Sequence, residues 1–196
     1  MLEVSRAPLI LALDISKNST GVAKGRVGEK PVTYSIKSDS DYDEYSAGAR
    51  LTKQILAEIK VDRPDWIYCE APLIAGNLQM RDPKTAQTLI GMAFVAGVVS
   101  NIAGIQFRPV SVNTVRVAFL GRGNFPKKDR NGDPLFIKDE GKRRAMALSK
   151  MLGWEPKNHD EADALAVWFY GCTRVAPNRA VVITPMMQAK SAGMLK

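Results

Sequence analysis

The stretch PLILALDISKNSTGVAKGRVGEKPVTYSIK, residues 8–37, decides how this chain is to be read. Its first segment, PLILALD (8–14), is a near-continuous apolar run ending in an acid, the pattern of a strand buried on both faces. TGVAKGRV (20–27) and PVTYSIK (31–37) follow at close spacing, with VGEKP (27–31) as the turn between them, so an antiparallel meander of three strands is expected. After it the period changes. From Asp43 to Lys60, Leu51, Ile55 and Ile59 step by four, which predicts a helix that Arg63-Pro64 stops. WIYCE (66–70) reads as a second buried strand, and it too ends in an acid.

Residues 83–104 predict a long apolar helix, QFRPVSV (106–112) a strand, 140–152 an amphipathic basic helix, and 159–173 a last helix. This order predicts a mixed α/β fold: a five-stranded sheet flanked by helices, antiparallel at one edge and parallel where helices cross over. The segment GRGNFPKKDRNGDPLFIKDE (121–140), with its Asn131-Gly132 pair, predicts a small hairpin or a mobile loop. One domain is expected over residues 1–180, with 181–196 a flexible tail that shows no period.

The 28 Lys and Arg against 20 Asp and Glu give a net charge of +8 and a pI near 9.6, which favours an acidic partner, nucleic acid being the commonest. Most of the excess lies between Arg108 and Lys157, where twelve basic residues face five acidic ones. Cys69 and Cys172 are the only cysteines, which excludes a disulfide framework or a zinc site. No secretory signal opens the chain, and a cytoplasmic protein is expected. The run LIGMAFVAGVVSNIAGI (89–105) contains Ser100, Asn101 and three glycines, and reads as a buried helix or subunit interface rather than a membrane span.

The segment NHDEADALAVWFYG (158–171) gathers Asp160, Glu161 and Asp163 on the first turn of a helix whose apolar stripe is Ala162, Leu165, Ala166 and Phe169. Acids are favoured there in any case, because they cap free N–H groups and offset the dipole, with Asn158 or His159 as cap. Asp160 and Asp163, however, stand three apart and so project from one side of the helix. Asp14 and Glu70 end the two buried strands, and sites in open α/β sheets form outside such strand ends. If strands one and four are neighbours and the last helix starts at the same edge, four carboxylates meet. Their repulsion is relieved by a pair of oxygen-preferring divalent ions, Mg²⁺ or Mn²⁺. Two such ions about 3.5–4 Å apart hold a phosphate between them, so a metal pair in a basic protein points to phosphodiester hydrolysis.

LALDISKNSTGVA (11–23), IYCEAPL (67–73) and HDEADALAVW (159–168) resemble, in order and spacing, the three signature segments of the RuvC family of Holliday junction resolvases within the RNase H-like superfamily. The resemblance covers most of residues 8–173. It implies a metal-dependent endodeoxyribonuclease whose two Mg²⁺ ions, replaceable by Mn²⁺, are bound by Asp14, Glu70, Asp160 and Asp163. It also implies a homodimer, joined partly along helix 83–104, that cuts a four-way DNA junction symmetrically on opposite strands. Lys142 and Arg116 align with basic positions near the scissile phosphate, Lys142 stabilising it and Arg116 in support. Arg122, Lys127, Lys128, Lys138 and Arg143 are the further expected DNA contacts.

The chain departs from the family pattern at three places. DISKNSTG replaces the usual Asp-Pro-Gly, although Thr20-Gly21 is retained. The position of the aromatic wedge at the junction is Leu73, with Leu78 or Met80 nearby as apolar substitutes. The 121–140 segment is longer than the family's loop. His159, the only histidine, is a ligand, a proton carrier or a helix cap on this reading.

Three other activities share parts of this pattern. An actin-like or sugar-kinase ATPase shares the Asp…Thr-Gly turn but needs a second glycine-rich Asp loop and an adenosine-binding glycine pair, and neither is visible. A broader nuclease of flaps and forks shares the four acids and differs in substrate. A non-catalytic junction-binding protein would have lost acids that are all present here.

Overall fold

A computed structural model describes residues 6–37, 43–70, 83–123, 125, 127–128, 134–135 and 139–180, with backbone alone for 127–128, 134–135 and 179–180. The chain runs β1 (Leu9–Asp14), β2 (Ser19–Arg26), β3 (Val32–Lys37), α1 (Glu44–Val61), β4 (Trp66–Glu70), α2 (Pro83–Ile102) and β5 (Gln106–Val110). It continues through α3 (Val112–Leu120), β6 (Lys127–Lys128), β7 (Pro134–Leu135), α4 (Glu140–Met151), α5 (His159–Val175) and α6 (Pro177–Ala180). Five strands form one sheet in the order β3-β2-β1-β4-β5. The first three make the expected antiparallel meander, and β4 and β5 run parallel to β1.

The central strand sorts its side chains by the two-residue period of a pleated backbone. All six residues of β1 are buried. Leu11 and Leu13 join Val22, Ile67 and Cys69 in a core closed by Leu51 and Ile55 of α1 and Met92 and Ala96 of α2. Ile10 and Ala12 face the other way, where with Ala23 and Tyr68 they meet Ala162, Leu165 and Trp168 of α5. Continuing the alternation, Asp14 belongs to the α5 face. Glu70 falls there too, two residues beyond Tyr68.

A single apolar stripe was expected on α5, but the helix is buried almost all round: Ala164, Val167, Gly171 and Cys172 are buried as well as the stripe. It lies across β1 and β2 on one side and is covered by α3 and α4 on the other. Phe119 of α3 stacks on Trp154 at 6.1 Å and meets Phe169 at 5.4 Å.

Helix α3 corrects the sequence reading, which continued the fifth strand through QFRPVSV. The strand stops at Val110, and the Ser111 side chain accepts a hydrogen bond from the Thr114 N–H at 3.2 Å, capping a helix that ends on Gly121 in the left-handed region. Its valines and threonine favour strands by intrinsic preference, and burial of Val115 and Phe119 against α5 overrides that preference. In the 121–140 segment β6 and β7 pair antiparallel, Lys127 opposite Leu135, so the hairpin alternative holds. Residues 181–196 lie outside the described residues.

Helix α5 reaches the sheet at Gly21. A Cβ built there would lie 2.0 Å from the carbonyl oxygen of Asp160, and the obstacle is backbone rather than a movable side chain. Gly21→Ala is therefore expected to lower stability by about 1–3 kcal/mol, read as a lower urea midpoint. An unchanged midpoint would mean that α5 stands off the sheet.

Candidate active site

Asp14 closes β1 and is 7% exposed. On the parallel neighbour, Leu13 pairs with Cys69, so Asp14 and Glu70 leave adjacent strands at one level. The cross-strand partner of Asp14 on β2 is Gly21, the residue on which the Asp160 carbonyl rests. The first turn of α5 thereby arrives beside Asp14, bringing Asp160 and Asp163. Lys142, in the first turn of α4, completes the group. Its Nζ lies 3.9 Å from Asp160 Oδ1 and 3.7 Å from Asp163 Oδ2.

The carboxylates feel one another. Burial, then Glu70, Asp163 and Asp160, push the Asp14 carboxyl well above its ordinary value of 3.8, against the pull of Lys142. Burial and Asp160 also raise Asp163, opposed by Lys142 and Arg116. Burial would lower the Lys142 ammonium, but Asp163, Asp14 and Asp160 together hold it above its usual value, so it is charged at neutral pH.

Do these residues fit divalent ions? Among the described residues no three His, Cys, Asp or Glu side chains close on one point, and unscreened like charges are expected to stand apart. The donor set is nevertheless all carboxylate oxygen, the kind Mg²⁺ and Mn²⁺ take. Asp14 is a buried carboxyl to which no described residue donates a hydrogen bond. Donor chemistry and charge fit the ions.

Of the three acids at the start of α5, Glu161 is the one with a structural part. It is 2% exposed and points inward. Its carboxylate accepts hydrogen bonds from Thr33 Oγ1 at 3.1 Å, the Lys157 N–H at 3.0 Å and Asn158 Nδ2 at 3.3 Å. Asn158 is the cap, its Oδ1 accepting from the Glu161 N–H at 3.0 Å. By position Glu161 is an ordinary first-turn acid, and the signal of its structural part is the Asn158-x-x-Glu161 spacing, that of a capping box. His159 is the exposed first residue of the helix and does not cap it.

The basic residues divide. The Arg116 guanidinium packs on Gly141, where a Cβ would lie 2.8 Å from its Cζ, and its charge lowers Asp163. Arg122 is exposed just beyond α3. Arg143 and Arg144 pair with Glu140 at 3.0 and 2.9 Å, and Arg144 also lies over Phe125 at 4.7 Å. Lys127 and Lys128 stand on β6, where the backbone alone is described. Lys138 lies outside the described residues, as do Leu73, Leu78 and Met80.

Neither a protein-family model nor a curated protein matches the sequence. Solved structures do. RuvC from Thermus thermophilus aligns over 85% of this chain and 95% of its own, at 16% identity and a TM-score of 0.61. The structure of T. thermophilus RuvC in complex with Holliday junction substrate aligns over 85% and 94%, at 14% identity and 0.63. The fold is RNase H-like. At these identities the likeness speaks for the architecture, in which Asp14 and Glu70 end the first and fourth strands in chain order.

A carboxyl whose pKa is higher folded than unfolded opposes folding at neutral pH, and the penalty fades as pH falls through the folded value towards 3.8. Without metal, Asp14→Asn is expected to raise the melting temperature at pH 7, by about 2–4 °C for each 1 kcal/mol relieved at this chain length. The gain should shrink on acidification and on adding Mg²⁺. A metal-free variant that melts below wild type at pH 7 would show that Asp14 is not under this repulsion.

Proposed function

We propose that this chain is a Mg²⁺-dependent endonuclease for branched DNA, with the four-way junction as its principal substrate. What supports the reading is the electrostatic coupling of buried Asp14 to Glu70, Asp160 and Asp163, together with the contacts of Lys142 with Asp160 and Asp163, at the strand ends of an RNase H-like sheet. The solved relative bound to a Holliday junction supports the choice of substrate.

The four carboxylates would hold two Mg²⁺ or Mn²⁺ ions, which supply a hydroxide nucleophile and stabilise the leaving oxygen. This chain's own residues do the rest. Lys142, positively charged and 36% exposed, can leave Asp160 and Asp163 for a non-bridging phosphate oxygen. Arg116, seated on Gly141, adds charge from the α3 side. Arg122, exposed just beyond α3, and Lys127 and Lys128 would add phosphate contacts that give affinity without reading sequence.

Symmetric cutting of a junction needs two sites, and α2 offers a surface for pairing. Ile90, Phe94, Val98 and Ile102 recur every four residues along it and are all exposed, Phe94 at 71%. By length and composition α2 could cross a membrane, but Met92 and Ala96 on its other side are core residues beside α1, so a second copy of the chain is the proposed cover.

The first test is cleavage of an immobile four-way junction beside a linear duplex of the same sequence, with Mg²⁺ or EDTA. Paired nicks confined to the junction, lost with EDTA and in Asp14→Asn, are expected. Lys142→Met should slow cleavage about 10²-fold in saturating Mg²⁺. Cutting of flaps and duplex as well would make the protein a broader nuclease, and tight binding without cutting a junction-binding module. In light scattering the wild type is expected at twice the 21.5 kDa chain mass and Phe94→Glu at the chain mass itself. A monomeric wild type at micromolar concentration would remove the paired-site mechanism.

A further inference from the structure

The acids of α5 that act on Asp14 lie there against like charge, and the buried Glu161 between them takes another direction. Glu161 follows Asp160 directly and turns away from the cluster, towards the meander. Its Oε2 accepts from Thr33 Oγ1 on β3. Its neighbour Asn158, whose Nδ2 also bonds Glu161 Oε1, donates to Ser35 Oγ on the same strand at 2.9 Å. Two side chains thus tie the first turn of α5 to β3, while the Asp160 carbonyl bears on Gly21 of β2 between them.

We infer that Glu161, acting through Thr33 and Asn158, is a positioning residue that presets Asp160 and Asp163 for divalent metal. The inference rests on the metal site proposed above and deepens it. Asp160 and Asp163 share the site with Asp14 and Glu70. Without a tether, repulsion has a direct outlet: the first helical turn frays and the two aspartates swing away. The three hydrogen bonds to the Glu161 carboxylate close that outlet before any ion arrives. Preorganisation of this kind sets affinity for the ion rather than reactivity, because Glu161 points away from the reacting groups.

The test is Mn²⁺ titration of the full-length protein, without DNA, followed by electron paramagnetic resonance of the free ion. Glu161→Gln keeps the shape but places an amide N–H₂ where donors converge, and it should weaken Mn²⁺ binding about tenfold. Thr33→Val removes one hydrogen bond on a strand that tolerates branched residues and should weaken it by roughly threefold, while Thr33→Ser, which keeps the hydroxyl, should match wild type. Glu155→Gln, the same charge change at an exposed site, should leave the titration unchanged. If Glu161→Gln fails to fold, the comparison of Thr33→Val with Thr33→Ser decides. Wild-type Mn²⁺ affinity in folded Glu161→Gln or in Thr33→Val overturns the inference alone. A wild type that takes up no Mn²⁺ overturns the metal site and the inference together.

Discussion

The carbonyl oxygen of Asp160 comes so close to Gly21 that even a methyl group would not fit between them. That contact sets the distance between α5 and the sheet, and with it how near Asp160 and Asp163 come to Asp14. Gly21 is the cross-strand partner of Asp14, so the strand that needs a glycine for packing is the strand that frames the buried acid. The same approach seats Trp168 against β2, its indole N–H donating to the Gly25 carbonyl at 3.1 Å. Core packing and site assembly are one event here. A helix held one side chain farther off would leave both an underfilled core and a pair of aspartates out of reach of Asp14.

The resulting arrangement is electrostatically uncomfortable. Asp14 is buried with three carboxylates acting on it and one lysine as partial relief. Such a site is maintained by interactions elsewhere: the apolar faces of β1, the hydrogen bonds that the Glu161 carboxylate accepts, and the aromatic contacts of α3 with α5. Sites that bind ions commonly carry this tension, because a cluster relaxed without the ion has little to gain from it. The two contacts of Lys142, at 3.7 and 3.9 Å, are long for tight ion pairs.

Much of this was legible in the residues themselves. Alternation and run length identify β1 and β4, and an acid at the end of each marks the strand ends as chemical. The four-residue step of Leu51 and Ile55 finds α1 within a residue or two of its ends. The failures have physical causes. Helix α3 carries three valines and a threonine, residues that fit strands, and its helical state follows from burying Val115 and Phe119 under α5. Glu161 looks like any first-turn acid, because nothing local says that its carboxylate will meet Thr33, 128 positions away in sequence.

The sequence by itself determined the five strands of the sheet, helices α1, α2, α4 and α5, and their order, because periodicity and strand-end position are local properties that neighbours a few residues apart specify. It also determined the basic balance and the segment that carries it. The tertiary structure alone decided which acids come under one another's electrostatic influence. Asp160 and Asp163 face Asp14 while Glu161, between them, faces β3, and a 100° turn per helical residue separates those fates only once the helix is seated. It likewise decided that Lys142 lies across the two aspartates while Arg143 and Arg144 turn to Glu140. Long-range packing makes these choices, since the energy that distinguishes them comes from groups brought together across the whole chain.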